Sequence, residues 1–168
     1  LTEAAAAGNI PEVLALLDQG AELGAKDSKG RLALVRASFQ GHKEMVELLI
    51  TKGADVNAKS RYGKTALMPA SSKGHAEIVK TLLAHGADVN AMDDYNQTAL
   101  VCASLNGHKE VVKILLEAGA DVNLKTKTGY TALGIATDQG YHEIGDLLLA
   151  KKPALSVCAC QSRNARYH

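Results

Sequence analysis

The sequence predicts an all-α repeat solenoid, a stack of antiparallel helix pairs with projecting loops. Three observations point there. Glycines recur every 33 residues in two series, Gly20, Gly53, Gly86 and Gly119, and Gly8, Gly41, Gly74, Gly107 and Gly140. Residues 53–85 and 86–118 match at 19 of 33 positions, too many for coincidence in a chain of ordinary composition. Aromatics make up only 4% of the 168 residues and Trp is absent. The core is therefore left to Ala, Leu, Val and Ile, which suits helices packed at close range.

Within a unit, Thr65-Ala66-Leu67 is expected to begin a first helix, with Thr65 as the N-cap, and Gly74 to end it. The segment "AEIVKTLLAHG" then places Ile78, Val79, Leu82 and Leu83 on one apolar stripe of a second helix, closed by Gly86. What remains, "ADVNAKSRYGK" in one unit and "ADVNAMDDYNQ" in the next, is rich in turn formers and lacks a helical period. It reads as a projecting link. A single unit cannot bury its own stripe, but stacking sets Leu67, Leu82 and Leu83 against Leu100, Leu115 and Leu116.

The stretch "GKTALMPASSKGHAEIVKTLLAHGADVNA" resembles an ankyrin repeat in its length, helix start, GH turn and GADVN segment. The resemblance extends over nearly all of residues 1–152. It implies an L-shaped stack with β-hairpin fingers, and a concave surface made of fingers and first helices. It also divides the chain. Residues 1–26 resemble a starting cap without a finger, 27–59, 60–92 and 93–125 are full repeats, and 126–152 resembles a closing helix pair. Residues 153–168 leave the pattern after a helix-stopping proline and are expected to form a mobile tail.

The chain departs from the family's TPLH helix start, which here reads Leu32-Ala33-Leu34-Val35, Thr65-Ala66-Leu67-Met68, Thr98-Ala99-Leu100-Val101 and Thr131-Ala132-Leu133-Gly134. With all four histidines missing, apolar packing by Val35, Met68 and Val101 is expected to replace the polar ties that the imidazole makes in the family. Pro69 removes an amide donor in the first turn, so that helix should start slightly opened.

Composition limits the function classes. A net charge of +1 gives no general attraction to nucleic acid or anionic membrane, and no apolar run approaches a bilayer span. Three cysteines, Cys102, Cys158 and Cys160, fit a reducing intracellular compartment, cytoplasmic or nuclear. The enzyme-like triplets His42-Lys43-Glu44, His75-Ala76-Glu77 and His108-Lys109-Glu110 sit at the interhelix turns without the cysteine motif that zinc deaminases need. Those histidines are expected to bond loop backbone. Cys158, Cys160 and His168 fall short of the usual four zinc ligands, so no metal and no cofactor is expected. Asn96-Gln97-Thr98 fits a glycosylation acceptor, but its Thr is expected to cap a helix. No enzyme activity and no small-molecule substrate are expected.

Comparing repeats with one another separates fixed positions from variable ones, and the variable ones mark a candidate surface. Between the units at 60–92 and 93–125 the finger changes Lys59 to Met92, Arg61 to Asp94 and Lys64 to Gln97, while Tyr62 matches Tyr95. On the first helix Ser72 becomes Leu105 and Lys73 becomes Asn106. The sole phenylalanine, Phe39, is the counterpart of Ser72 and Leu105. The remaining candidates are Lys26, Lys29 and Arg31 on the first finger, and Lys125, Lys127 and Tyr130 on the last. Counting Arg36 as well, this surface has ten basic residues against Asp27, Asp93, Asp94 and Asp138. The charge is thus unevenly divided, and a protein or peptide of acidic character is the expected partner. Nucleic acid is disfavoured because Asp93 and Asp94 interrupt the basic face. The chain is expected to act as a monomer and to stay out of membranes.

Two alternatives stay open at this level. The first residue is Leu1, which leaves room for a regulatory or targeting module within a larger enzyme. The regular repeats also fit an engineered binder, although Pro69, Cys102 and the cysteine-containing tail are odd choices for one.

Overall fold

Residues of like type spaced 33 apart form columns, and the columns build the core. A computed structural model of the chain describes residues 1–151. The expectations for the 153–168 tail and for Cys158, Cys160 and His168 lie outside the described residues. Five helix pairs follow in order: α1 (Thr2–Ala6) with α2 (Ile10–Asp18), α3 (Ala33–Gln40) with α4 (Lys43–Thr51), and α5 (Leu67–Lys73) with α6 (Ala76–Ala84). Then come α7 (Ala99–Leu105) with α8 (Lys109–Glu117), and α9 (Ala132–Asp138) with α10 (His142–Lys151).

The first helices pack in one row, α1 on α3 on α5 on α7 on α9, and α4, α6, α8 and α10 pack in a second. Ala37, Ala70, Ala103 and Ala136 form a fully buried column in the first row. Their small side chains let the short helices approach closely. Among the second helices of the pairs, Leu49, Leu82, Leu115 and Leu148 form a column, and Val13, Val46, Val79 and Val112 another. Each buried Leu or Val of this kind contributes about 2 kcal/mol relative to exposure. Because each column is shared between neighbours, the repeats stabilise one another.

The histidines of the interhelix turns bond backbone, but at a different place from the expected loop. His42 Nε2 lies 3.0 Å from the carbonyl oxygen of Ala6, His75 Nε2 3.2 Å from that of Phe39, and His108 Nε2 2.9 Å from that of Ser72. Each ring thus satisfies a carbonyl near the end of the preceding repeat's first helix. Asn57 is a second tie between repeats: its Nδ2 donates to the Gly86 carbonyl and its Oδ1 accepts the Asp88 amide.

The fingers are tight hairpin turns, and no strand forms among the described residues. Asp27–Arg31, Ser60–Lys64, Asp93–Gln97 and Thr126–Tyr130 are each closed by an amide of the first residue donating to the carbonyl of the last. Single backbone bonds join successive fingers: Arg61 N to Gly30 O, Asp94 N to Tyr62 O, and Lys127 N to Tyr95 O. The first junction is so tight that a Cβ on Gly30 would lie 2.7 Å from Cβ of Arg61. Gly30, at φ +72°, therefore has both a conformational and a steric reason to be glycine.

Helix starts differ between repeats. Thr98 Oγ1 accepts the Val101 amide and Thr131 Oγ1 accepts the Gly134 amide. The cap expected at Thr65 does not form: α5 begins only at Leu67, and the buried Thr65 hydroxyl has no partner. Pro69 explains the difference, since it has no amide to give the Thr65 carbonyl. The first bond of that helix, Ala70 N to Ala66 O, is long at 3.4 Å, against 3.0 Å from Cys102 N to Thr98 O. The opened start expected from Pro69 is present. Met68 and Val101 are buried and Val35 packs against the core, the apolar substitution that the missing histidines imply.

Candidate protein-binding groove

A groove of about 740 Å³ runs along the side where the first three fingers meet α3, α5 and α7. Fingers supply Lys29, Arg31, Arg61, Tyr62 and Lys64 to its wall, and Gln97 closes one end. First helices supply Phe39 and Leu105. The groove therefore gathers eight of the candidate residues named from the sequence. No Asp or Glu lines it among the described residues.

The other candidates lie elsewhere. Lys59 Nζ donates to the Met92 carbonyl 3.2 Å away, and both residues line a smaller hollow at the finger bases. Lys73 stands beside the groove, its Nζ 4.8 Å from the Phe39 ring centre. Lys26, Asp94, Tyr95, Lys125, Lys127 and Tyr130 are exposed and do not line the groove.

Two charges have internal uses. Arg31 pairs with Asp27 and reaches across to Glu3 on α1. Its side chain, hydrogen-bonded to Asp27, holds that carboxyl at about pKa 2, below the usual value. Arg31 thus fastens the first finger to the N-terminal helix. Asp93, counted in the sequence as an interruption of the basic face, is only 4% exposed. Its Oδ1 accepts the amides of Tyr95 and Gln97, both at 2.9 Å, and so shapes the finger from within. With Asp93 withdrawn, Asp94 alone remains as the exposed acid of that turn.

Arg61 lies over the Tyr62 ring at 5.0 Å, and the Arg36 guanidinium is 5.9 Å from the Phe39 ring centre. These cation–aromatic contacts hold long side chains along the groove and limit the freedom lost on binding. Arg36 also lines the groove, and its Nε is buried without a hydrogen-bond partner. The sequence placed Arg36 among the basic residues but not among the candidates. Its position three residues before Phe39, on the same helix face, is the signal that marks it. Met68, Pro69 and Cys102 form part of the lining as well. Burial pushes the Cys102 thiol up to about 11, so it is a neutral apolar surface at physiological pH.

The outer face is different in kind. Glu77 pairs with Lys80 and Lys43, and Lys109 pairs with Glu143 of the next repeat. These exposed pairs contribute little to stability and leave no concentrated charge. Among the described residues no three His, Cys, Asp or Glu side chains converge on a possible metal position. No helix among them is long and apolar enough to cross a membrane.

The family model described as Ankyrin repeats (3 copies) matches residues 1–93 and 90–159. No curated protein matches the chain. Ankyrin repeats generally mediate protein–protein interaction and are typically non-catalytic. Matched across both segments and folded as a stack of helix pairs, the chain belongs to the ankyrin-repeat family.

Proposed function

We propose that the chain is a non-enzymatic protein-binding module whose groove captures an acidic protein segment. One observation carries this reading: Lys29, Arg36, Arg61 and Lys64 line one groove that no carboxylate lines among the described residues. Concentrated charge of one sign in a concave, partly apolar surface raises both encounter rate and selectivity for the opposite sign. Phe39, Tyr62 and Leu105 add exposed apolar area within the same groove. Stacked repeats are already ordered, so less ordering is left to offset on binding.

The test uses a fluorescein-labelled peptide rich in Asp and Glu, titrated with the full chain and followed by anisotropy. Binding is expected to weaken as salt rises, and the Arg61→Glu, Lys64→Glu double variant should bind at least about tenfold more weakly. Lys80→Glu, on the outer face, should bind like the parent. Equal affinity of the groove variant and the parent would place the site elsewhere.

A further inference from the structure

One repeat position carries Phe39, Ser72 and Leu105 on the neighbouring helices α3, α5 and α7, and all three line the groove. Phe39 is 36% exposed and Leu105 43%, so the two large side chains stand out from the helix row. Adjacent helix axes in such packing are about 8–10 Å apart. A serine between a phenylalanine and a leucine therefore leaves a notch of about one side chain's width. Met68, Pro69 and Cys102 supply apolar lining in the same groove. Asn106 gives the notch a polar edge, its Nδ2 donating to Ser72 Oγ at 3.2 Å and to the Cys102 carbonyl at 2.8 Å.

Arg36 is the second observation. Its Nε is buried and unpartnered while the side chain lines this groove beside Phe39. That Nε lies out of a partner's reach, but the residue is part-exposed and its guanidinium lines the groove, where a carboxylate is the group that best satisfies it. On the groove's finger side Arg61 and Lys64 extend the same charge.

We infer that the notch over Ser72 takes one aliphatic side chain of the partner, and that an Asp or Glu close to it in the partner's sequence reaches Arg36. This rests on the reading of the groove as the binding face, and it deepens that reading from acidic character to a defined pattern. The partner segment is an extended acidic stretch with a single aliphatic anchor. Phe39 and Leu105 act as the walls that fix where the anchor sits, and Ser72 is the specificity-determining residue.

Three labelled acidic peptides identical except for a central Leu, Ala or Lys test the inference against the full chain. The Leu peptide is expected to bind roughly tenfold or more tightly than the Ala peptide, the scale set by burying one aliphatic side chain. Ser72→Leu should erase that preference. The fold carries Phe39 and Leu105 at the same repeat position, so this variant should keep the parent's thermal midpoint. Arg36→Gln should weaken the Leu and Ala peptides together. If all three peptides bind the parent equally and with salt dependence, the notch is refuted while the acidic-partner reading stands. If none binds, both are refuted. A Leu preference that survives unchanged in Ser72→Leu also overturns the proposal.

Discussion

The finger at 60–64 and the finger at 93–97 occupy equivalent places in consecutive repeats, and they are held by different chemistry. Asp93 draws two backbone amides onto one buried carboxylate oxygen, and Asn96 takes the left-handed position at φ +56°. Ser60 makes no such bonds; its hydroxyl donates to the Arg61 carbonyl at 3.1 Å. That finger instead places two successive residues at positive φ, Tyr62 at +68° and Gly63 at +73°. A left-handed residue with a large side chain costs on the order of 1 kcal/mol, whereas Asn adopts that conformation more readily. The helices that follow repeat the contrast, with Thr98 capping and Thr65 unpartnered.

The difference falls where the groove is. Arg61, Tyr62 and Lys64 all line it, while Tyr95 and Asp94 do not. Of these two fingers, the one with the weaker local hydrogen bonding and the greater backbone strain is the one that presents groove-facing charge, the other contributing only Gln97. Strain retained at one copy of a repeat, when the next copy shows how to avoid it, is an observation that favours a functional role for the strained copy.

Removing the better-held finger's anchor should have the largest effect on stability. Asp93→Ala is expected to cost about 2 kcal/mol in chemical denaturation, because two amides lose a charged acceptor at a buried site. Asp93→Asn keeps the accepting oxygen and should cost much less. If the two variants are equally destabilised, the carboxylate's charge matters more than its geometry. The weaker start of α5 gives the smallest effect. Pro69→Ala restores an amide that can reach the Thr65 carbonyl, a gain of about 1 kcal/mol, but loosens the unfolded chain by a similar amount. Stability should change by less than about 0.5 kcal/mol. Hydrogen exchange should show the new amide at position 69 protected, as the Cys102 amide is by its bond to Thr98.

The repeat period made the helix pairs legible, because each unit's apolar stripe has to be buried by the unit beside it. Val79, Leu82 and Leu115 are where that argument puts them. Contacts between repeats were less legible. His75 reaches a carbonyl 36 residues away, and nothing in the local sequence distinguishes that oxygen from one in its own loop. The candidate surface was partly legible for the same reason. Charge counting treated Arg31 and Asp93 like any other exposed ion, yet one is spent on Asp27 and Glu3 and the other is buried beneath its own turn. Variation between repeats found Phe39 and Leu105, whose side chains face the groove. It passed over Arg36, whose importance comes from a missing partner rather than from its identity.

The central claim is that the finger at 60–64 gives up local stability in order to present a binding surface, and Tyr62→Gly tests it most directly. Thermal unfolding and peptide affinity would be measured on the same preparation, with the acidic peptide carrying a central Leu. Relief of the +68° backbone should offset the greater freedom of glycine in the unfolded chain, leaving the midpoint within roughly 3 °C of the parent or above it. Loss of the ring under Arg61 should at the same time weaken binding by about tenfold. A variant that binds the peptide as tightly as the parent would contradict the claim, whatever its stability.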